Sequence, residues 1–171
     1  QADLVISSLG KNPEREAAID FSDAYAPFFL GVFSADEDES VEGPEGLADK
    51  TIGVTRGAVE DMELSNIAPD STTVQRFEDN ATTISAFLSG QVDYVATGNV
   101  VAAEIAERNS DRAPSLIYQL KDSPCYVGMN KNEPALMEEV NRLIAQGLED
   151  GTLNELSQRW FSADLPENFG S

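Results

Sequence analysis

From residue 51 onward the sequence alternates between short apolar runs and amphipathic stretches, and this alternation leaves few folds open to the chain. The predicted strands cover residues 51–54, 74–77, 92–96 and 116–120, and the predicted helices between them lie near 58–66, 81–89 and 100–108. Strands that alternate with helices are typical of a parallel sheet covered by helices. We therefore expect an α/β fold with a parallel sheet.

The helix predicted near 81–89 shows how the local signals agree. Asn80 can cap its N-terminus, and Gly90 can end it. Ile84, Phe87 and Leu88 recur at the spacing of one helical face. The sequence thus predicts a helix with one buried side at this point.

The segments on either side of the alternation are less regular. We expect a strand at 4–6, a polar loop at 7–16, an extended segment at 28–33, an acidic loop at 34–49 that faces solvent, a strand at 125–129 and a helix at 134–148. A final helix carries Leu153, Leu156, Trp160 and Phe161. We expect Trp160 to anchor that helix on the core.

The charge and the reactive residues exclude several classes of protein. The chain has 31 acidic residues against 11 Lys and Arg, a formal charge of -20, which would repel nucleic acid and anionic membranes. It has no histidine, so Ser-His-Asp and Cys-His catalysis and the common zinc sites are absent. We expect no metal or cofactor, and an inert buried thiol at the single cysteine, Cys125.

The first residues of the chain already look like the inside of a sheet. The apolar run at 4–6 has no turn or cap before it. No apolar run approaches the roughly 20 residues that cross a bilayer. We expect a chain that is truncated or processed at its start.

Two segments place groups that can bind an anion beside a strand end, where open α/β sheets bind ligands. The first, residues 7–15, offers the hydroxyls of Ser7 and Ser8, the amide of Gly10 and the guanidinium of Arg15. A guanidinium matches a carboxylate with two parallel hydrogen bonds. The residues alone favour the simpler interpretation, an exposed loop in which Arg15 pairs with a nearby acid.

The second segment, residues 51–60, reads as a strand, a glycine turn and a helix start. Its candidate groups are Thr55, Gly57 and the amides of Ala58 and Val59. Unpaired amides at a helix start favour an anion. No Walker loop or dinucleotide motif is present. The alternative is an ordinary connection in which Glu60 and Asp61 complement the helix dipole.

Several motifs in order resemble the bacterial extracellular solute-binding proteins of family 3. They are Ser7-Ser8, Asn12-Pro13-Glu14-Arg15 and Ile19-Asp20-Phe21-Ser22-Asp23, then residues 47–54, Gly57, residues 87–93, and Asp150-Gly151-Thr152 before Trp160. The resemblance covers nearly the whole chain. It implies a two-lobed type 2 periplasmic-binding-protein fold, with an incomplete lobe one at 1–27 and 126–171, lobe two at 31–123, and hinge strands near 28–30 and 124–125.

The resemblance also assigns roles to the candidate residues. Arg15 would hold a ligand carboxylate from lobe one, with Ser7, Ser8 and the amide of Gly10. Thr55 and the amides of Ala58 and Val59, after the turn at Gly57, would close on the same anion from lobe two.

The chain departs from the family pattern at three positions. Gly10 stands where amino-acid binders carry Ser or Thr, and Lys11 replaces an apolar residue. Gly98 stands where they carry the acid that binds the α-ammonium group, and the neighbouring Asn99 could accept only one hydrogen bond from it. We expect a weak preference for the ammonium group unless another acid supplies the charge.

The function implied by the resemblance is the delivery of a small polar solute, an amino acid or related carboxylate, to an ABC importer. The protein would be a periplasmic or extracellular, membrane-associated monomer whose partner is the membrane permease. Two alternatives stay open: the extracellular sensing domain of a receptor or histidine kinase, and an enzyme similar to cyclohexadienyl dehydratase. The enzyme is disfavoured because no histidine is present and no acid is placed in the cleft.

Overall fold

The computed structural model describes residues 2–161, 164–166 and 169. The chain forms two compact units: Gln1–Phe28 with Ser123–Ser171 is unit 1, and Phe29–Asp122 is unit 2.

The strands and helices follow one another in this order: β1 Leu4–Leu9, α1 Pro13–Ala18, β2 Asp20–Ala26, β3 Phe29–Ser34, β4 Thr51–Thr55, α2 Val59–Ile67, β5 Thr73–Phe77, α3 Asn80–Leu88, β6 Tyr94–Gly98, α4 Asn99–Arg108, β7 Ser115–Asp122, β8 Cys125–Met129, α5 Pro134–Glu149 and α6 Thr152–Phe161. Short 3-10 turns lie at Pro44–Leu47 and Ser110–Arg112.

The sheet of unit 2 has the strand order β5-β4-β6-β3-β7. Strand β4 is parallel to β5 and β6, whereas β3 is antiparallel to both β6 and β7. The four strands of the alternation therefore run in one direction, as a crossover through a helix requires. The parallel arrangement predicted for these four strands is confirmed, and β3, which precedes the alternation, is inserted in the opposite direction between β6 and β7.

Both faces of this sheet are covered. Successive residues of β6 point to opposite faces, as the pleat of a strand dictates. Tyr94 packs with Leu64 of α2, while Val95 packs with Phe87 of α3 and Ala102 of α4. Because helices bury the two faces, the carboxyl ends of the strands are left as the open edge of the sheet.

Glu39 anchors the acidic loop between β3 and β4 to the sheet. Glu39 accepts hydrogen bonds from the Tyr94 hydroxyl and from Ser34 Oγ at 2.7 Å, and Lys50 Nζ lies 3.5 Å from its carboxylate. These donors hold the pKa of Glu39 below its usual range, the Tyr94 hydroxyl foremost, although burial opposes them. The expectation of a loop that only faces solvent was wrong at Glu39.

Unit 1 contains an antiparallel sheet of three strands in the order β1-β8-β2. The polar segment 7–16, expected to be a loop, instead holds the end of β1 and the start of α1. Asn12 makes that helix start possible, because its side-chain oxygen accepts from the Arg15 amide at 2.7 Å. The predicted strand at 125–129 and the helix predicted at 134–148 are confirmed.

Trp160 does not anchor α6 on the core. Its relative exposure is 62%, and the buried residue of that helix is Ser157. The prediction was wrong because the helical face that carries Trp160 points outward. Other large apolar side chains of unit 1 are exposed too: Val5, Ile6, Leu143 and Leu156.

The cap of α3 lies one residue earlier than the sequence suggested. Asp79, rather than Asn80, has the extended backbone of a cap, and its Oδ1 accepts from Thr82 N at 2.8 Å and Thr82 Oγ1 at 2.9 Å. Gly90, with φ +75°, lies just beyond the helix end, as expected. The hydrogen bonds from Thr82, its amide first, lower the pKa of Asp79.

We predict that Asp79→Ala lowers the melting temperature of the protein at pH 7, whereas Asn80→Ala has little effect. The alanine at 79 removes the acceptor for two donors of the first turn. Because the folded pKa of Asp79 is lowered, its contribution exists above the ordinary pKa of Asp and disappears as the pH falls through the folded pKa. Thermal melts between pH 7 and pH 2 measure both effects, and an equal effect of the two substitutions at pH 7 would contradict the assignment.

Candidate functional site

A pocket of about 200 Å³ opens at the carboxyl ends of β4 and β6 in unit 2. Its lining comes from those strand ends and from the first turns of three helices: Thr55, Ala58, Glu60, Asn80, Ala96, Thr97 and Val101. This edge is where open α/β sheets bind ligands. A concave surface with a few polar groups is the usual form of a small-molecule site.

The turn between β4 and α2 is shaped by its own backbone. Gly57 has φ +72°, a conformation that favours glycine. The Ala58 amide donates to the Thr55 carbonyl at 3.2 Å, and the Arg56 amide donates to the Phe77 carbonyl at 2.9 Å. The chain therefore turns within three residues and starts α2 beside the end of β4.

A buried carboxylate fixes this turn from inside the unit. Asp61, with 7% relative exposure, accepts from the Gly57 amide at 3.0 Å, from Arg76 Nε at 2.8 Å and from Ser65 Oγ at 3.3 Å. Burial opposes ionisation of Asp61, but the Gly57 amide and the charge of Arg76 outweigh it and hold the pKa below its usual range. Asp61 thus stays ionised and holds the turn in place.

The four residues predicted at this turn are close together, but they present fewer free donors than the sequence suggested. Thr55 and Ala58 line the pocket. The amides of Gly57 and Ala58 donate to Asp61 and to the Thr55 carbonyl. The Val59 amide belongs to the first helical turn, where N–H groups have no acceptor within the helix.

Three polar residues of the lining were not predicted as site residues. Thr97 is 3% exposed and is the second-last residue of β6, the strand next to β4, so the rule that ligands bind at strand ends could have found it. Asn80 starts α3. Half-buried Glu60 was considered only as a complement to the helix dipole, because its sequence position does not show that its side chain faces a pocket.

Asn99, which was predicted to face the ligand, has a structural contact. It is 5% exposed, and its Oδ1 accepts from the Phe29 amide at 3.2 Å. This bond joins the start of α4 to the start of β3. Gly98 precedes it as the buried N-cap of α4 and brings no side chain to this edge.

In unit 1, the predicted serines lie where β1 is irregular. The register of β1 against β8 shifts between Val5 and Leu9, and Ser8 within this stretch has φ +53°. The Ser8 amide donates to the Tyr25 hydroxyl at 3.1 Å. Ser7 and Ser8 are both exposed.

Arg15 and Gly10 are brought together by α1. The Arg15 side chain is exposed, and its Nη1 donates to the Gly10 carbonyl at 2.9 Å. The acid that the simpler interpretation expected as its partner is not among the ion pairs of the described residues. The guanidinium is therefore oriented by a neutral carbonyl.

The lysine that replaces an apolar residue after Gly10 has an evident contact. Lys11 Nζ lies 4.0 Å from the centroid of the Tyr126 ring and 5.9 Å from that of Phe21. An ammonium group over an aromatic face is attracted by the ring quadrupole. The aliphatic stem of Lys11 can cover these rings as an apolar residue would.

Cys125 is 4% exposed, so the prediction that it is buried is confirmed. Burial raises the pKa of its thiol, which a hydrogen bond with Ser8 offsets only in part. A protonated, covered thiol is a poor nucleophile. Within the described residues, no group of three or more Cys, Asp or Glu side chains is arranged to hold a metal ion.

The chain belongs to the bacterial extracellular solute-binding proteins, family 3, whose family model matches residues 1–163. The predicted type 2 periplasmic-binding-protein fold is confirmed. In the part of the chain that the structure describes, none of the helices has the length and apolar character of a membrane span.

Several relatives are named as amino-acid-binding proteins. The ABC transporter glutamine-binding protein GlnH of Bacillus subtilis is 28% identical over 96% of this chain and 60% of its own length. A solved ancestral cationic amino acid solute-binding protein is 26% identical with a TM-score of 0.75, over 93% of this chain and 69% of that one. AbpA of Streptococcus pneumoniae, solved with L-arginine, is 29% identical with a TM-score of 0.61, over 97% of this chain and 70% of its own. The chain thus spans about three fifths of the length of GlnH.

We predict that Asp61→Asn lowers the free energy of unfolding by about 1–3 kcal/mol, because it removes the charge that Arg76 and the Gly57 amide bind. Its matched control is Glu78→Gln, which breaks the exposed Arg56–Glu78 ion pair beside the same turn and should cost less than about 1 kcal/mol. Urea titrations measure both.

The difference between wild type and Asp61→Asn should also depend on pH. The folded pKa of Asp61 is lowered, so its contribution is present above the ordinary pKa of Asp and is lost as the pH falls through the folded pKa. Unfolding curves that differ equally at pH 7 and pH 2 would show that the ionised carboxylate is not what holds the turn.

Proposed function

We propose that the protein is the solute-binding component of an ABC importer and that it binds a small polar amino acid, or a related carboxylate, in the pocket of unit 2. The observation that carries this proposal is the pocket itself. Its hydroxyl, amide and carboxylate groups come from two parallel strand ends and the first turns of α2 and α3. The family and the amino-acid ligands named for its relatives support the same conclusion.

The division of the chain supports an assignment of the two units. Unit 1 corresponds to lobe one and unit 2 to lobe two, with boundaries at Phe28/Phe29 and Asp122/Ser123. Within unit 1, Arg15 keeps donors for an anionic group. One N–H of Arg15 is taken by the Gly10 carbonyl, while a guanidinium has five N–H donors and binds a carboxylate with two.

The family supports a cellular setting for this proposal. The protein acts outside the cytoplasm, in the periplasm or at the outer face of the membrane, and its partner is the permease of the importer. Catalysis is not part of this function. The sequence has no histidine to serve as a base for a serine or cysteine nucleophile, and the thiol of Cys125 is covered, which supports a binding role.

The test begins with a thermal-shift screen of the full-length protein against amino acids, organic acids and amines, because a ligand that binds only the folded state raises the melting temperature. Calorimetric titration of the best ligand then measures its affinity. No stabilisation by any compound in these classes would contradict the proposed function.

We predict that Arg15→Ala weakens binding of that ligand roughly ten- to a hundredfold, the effect of losing a charge-assisted hydrogen bond. Arg142→Ala is the matched control, since Arg142 is also an exposed arginine of unit 1 but pairs with Glu139 on its own helix. If both variants keep the wild-type affinity, Arg15 does not contact the ligand.

A further inference from the structure

We propose that Glu60 is the counter-charge for a cationic group of the ligand, an ammonium or a guanidinium, so that the pocket of unit 2 selects organic cations. This inference rests on the proposed function and names the ligand class of the same pocket. It assigns the acidic role to a side chain that the family pattern in the sequence did not indicate.

Among the described residues that line the pocket, Glu60 is the one with an ionisable side chain. The other six residues bring two hydroxyls, one amide and three apolar side chains. None of the ion pairs among the described residues includes Glu60. Arg56 of the same turn pairs with Glu78, and Arg76 on β5 pairs with Asp61.

A ligand that enters the pocket removes water from a half-buried carboxylate. That desolvation is unfavourable unless an opposite charge replaces the water. A cationic group at this position offsets the loss with a charge-assisted hydrogen bond. A ligand carboxylate would add repulsion to the desolvation, so the pocket discriminates by charge.

Most of the backbone amides that could bind an anion at this turn already donate to acceptors within the protein. The Gly57 amide donates to Asp61, and the Ala58 amide donates to the Thr55 carbonyl. Glu60 itself lies in the first turn of α2, where its negative charge already complements the helix dipole. The Glu60 carboxylate already occupies the N-terminal end of α2, and it would repel an anionic ligand that approached the same place.

The end of β6 leaves a place for this charge. Gly98 offers no side chain there, and the Oδ1 of Asn99 accepts from the Phe29 amide. An acid on α2 therefore supplies the negative charge that β6 does not. The net charge of -20 further raises the local concentration of cations around the protein.

Two matched ligand pairs test the inference on the full-length protein by calorimetry. L-Arginine and L-citrulline differ in the charge of the side chain, and L-glutamine and its deaminated analogue differ in the α-ammonium group. In at least one pair, we expect wild type to bind the compound that carries the additional cationic group at least tenfold more tightly than its partner. Glu60→Gln should abolish that preference by weakening the cationic member, with little effect on its partner.

The control is Glu104→Gln, which makes the same change of charge at an exposed position of α4 outside the pocket and should keep the preference. Glu60→Asp keeps the charge and should bind the preferred cation with intermediate affinity. If Glu60→Gln has a lowered melting temperature without ligand, Glu60→Asp shows whether the charge itself is needed for the preference.

Three results are distinguishable. A preference lost in Glu60→Gln and kept in Glu104→Gln supports the inference. Binding of these ligands without a preference for the cation, or with a preference that survives in Glu60→Gln, overturns it and leaves solute binding in place. If none of the four compounds binds and the wider screen is also negative, the proposed function itself fails.

Discussion

The site depends on one constraint, the common direction of β4, β5, β6 and β7. A chain that passes through a helix between strands returns to the same end of the sheet, so strand ends and helix starts collect at one edge. Strand β3 runs the other way and fills the middle without disturbing that edge. The pocket at Thr55, Thr97 and the starts of three helices is the direct product of this arrangement.

At this edge of the sheet, Asp61 reduces the number of hydrogen-bond donors that the turn after β4 presents to a ligand. Its ionised carboxylate pairs with the Arg76 guanidinium and takes the Gly57 amide, one of the donors that the sequence suggested for an anion. A buried charge is retained only where such partners compensate its desolvation. The same bonds that make the turn rigid therefore reduce its capacity for an anion, and Glu60 is left as the charged group of the pocket.

The sequence predicted what local pattern determines and missed what side-chain direction determines. The alternation of strands and helices, the strand at Cys125 and the helix after Pro134 were evident because their periodicity is strong. The cap of α3 was misplaced by one residue, since Asp79 and Asn80 are both good caps and only backbone geometry separates them. Trp160 was misjudged, and Glu60 was not recognised as part of a pocket lining, for a common reason: composition shows that a side chain is apolar or acidic, but not which way its helix is turned.

Arg15 of unit 1 and Glu60 of unit 2 carry opposite charges, and neither belongs to an ion pair among the described residues. Arg15 is held by a neutral carbonyl, whereas Glu60 lines the pocket of unit 2. Under the proposal for Glu60, a simple carboxylate in that pocket would leave its side chain desolvated without a counter-charge. Electrostatics within this pocket would thus favour a ligand with a cationic group over a simple carboxylate, even though β6 ends in a glycine where an acid was expected.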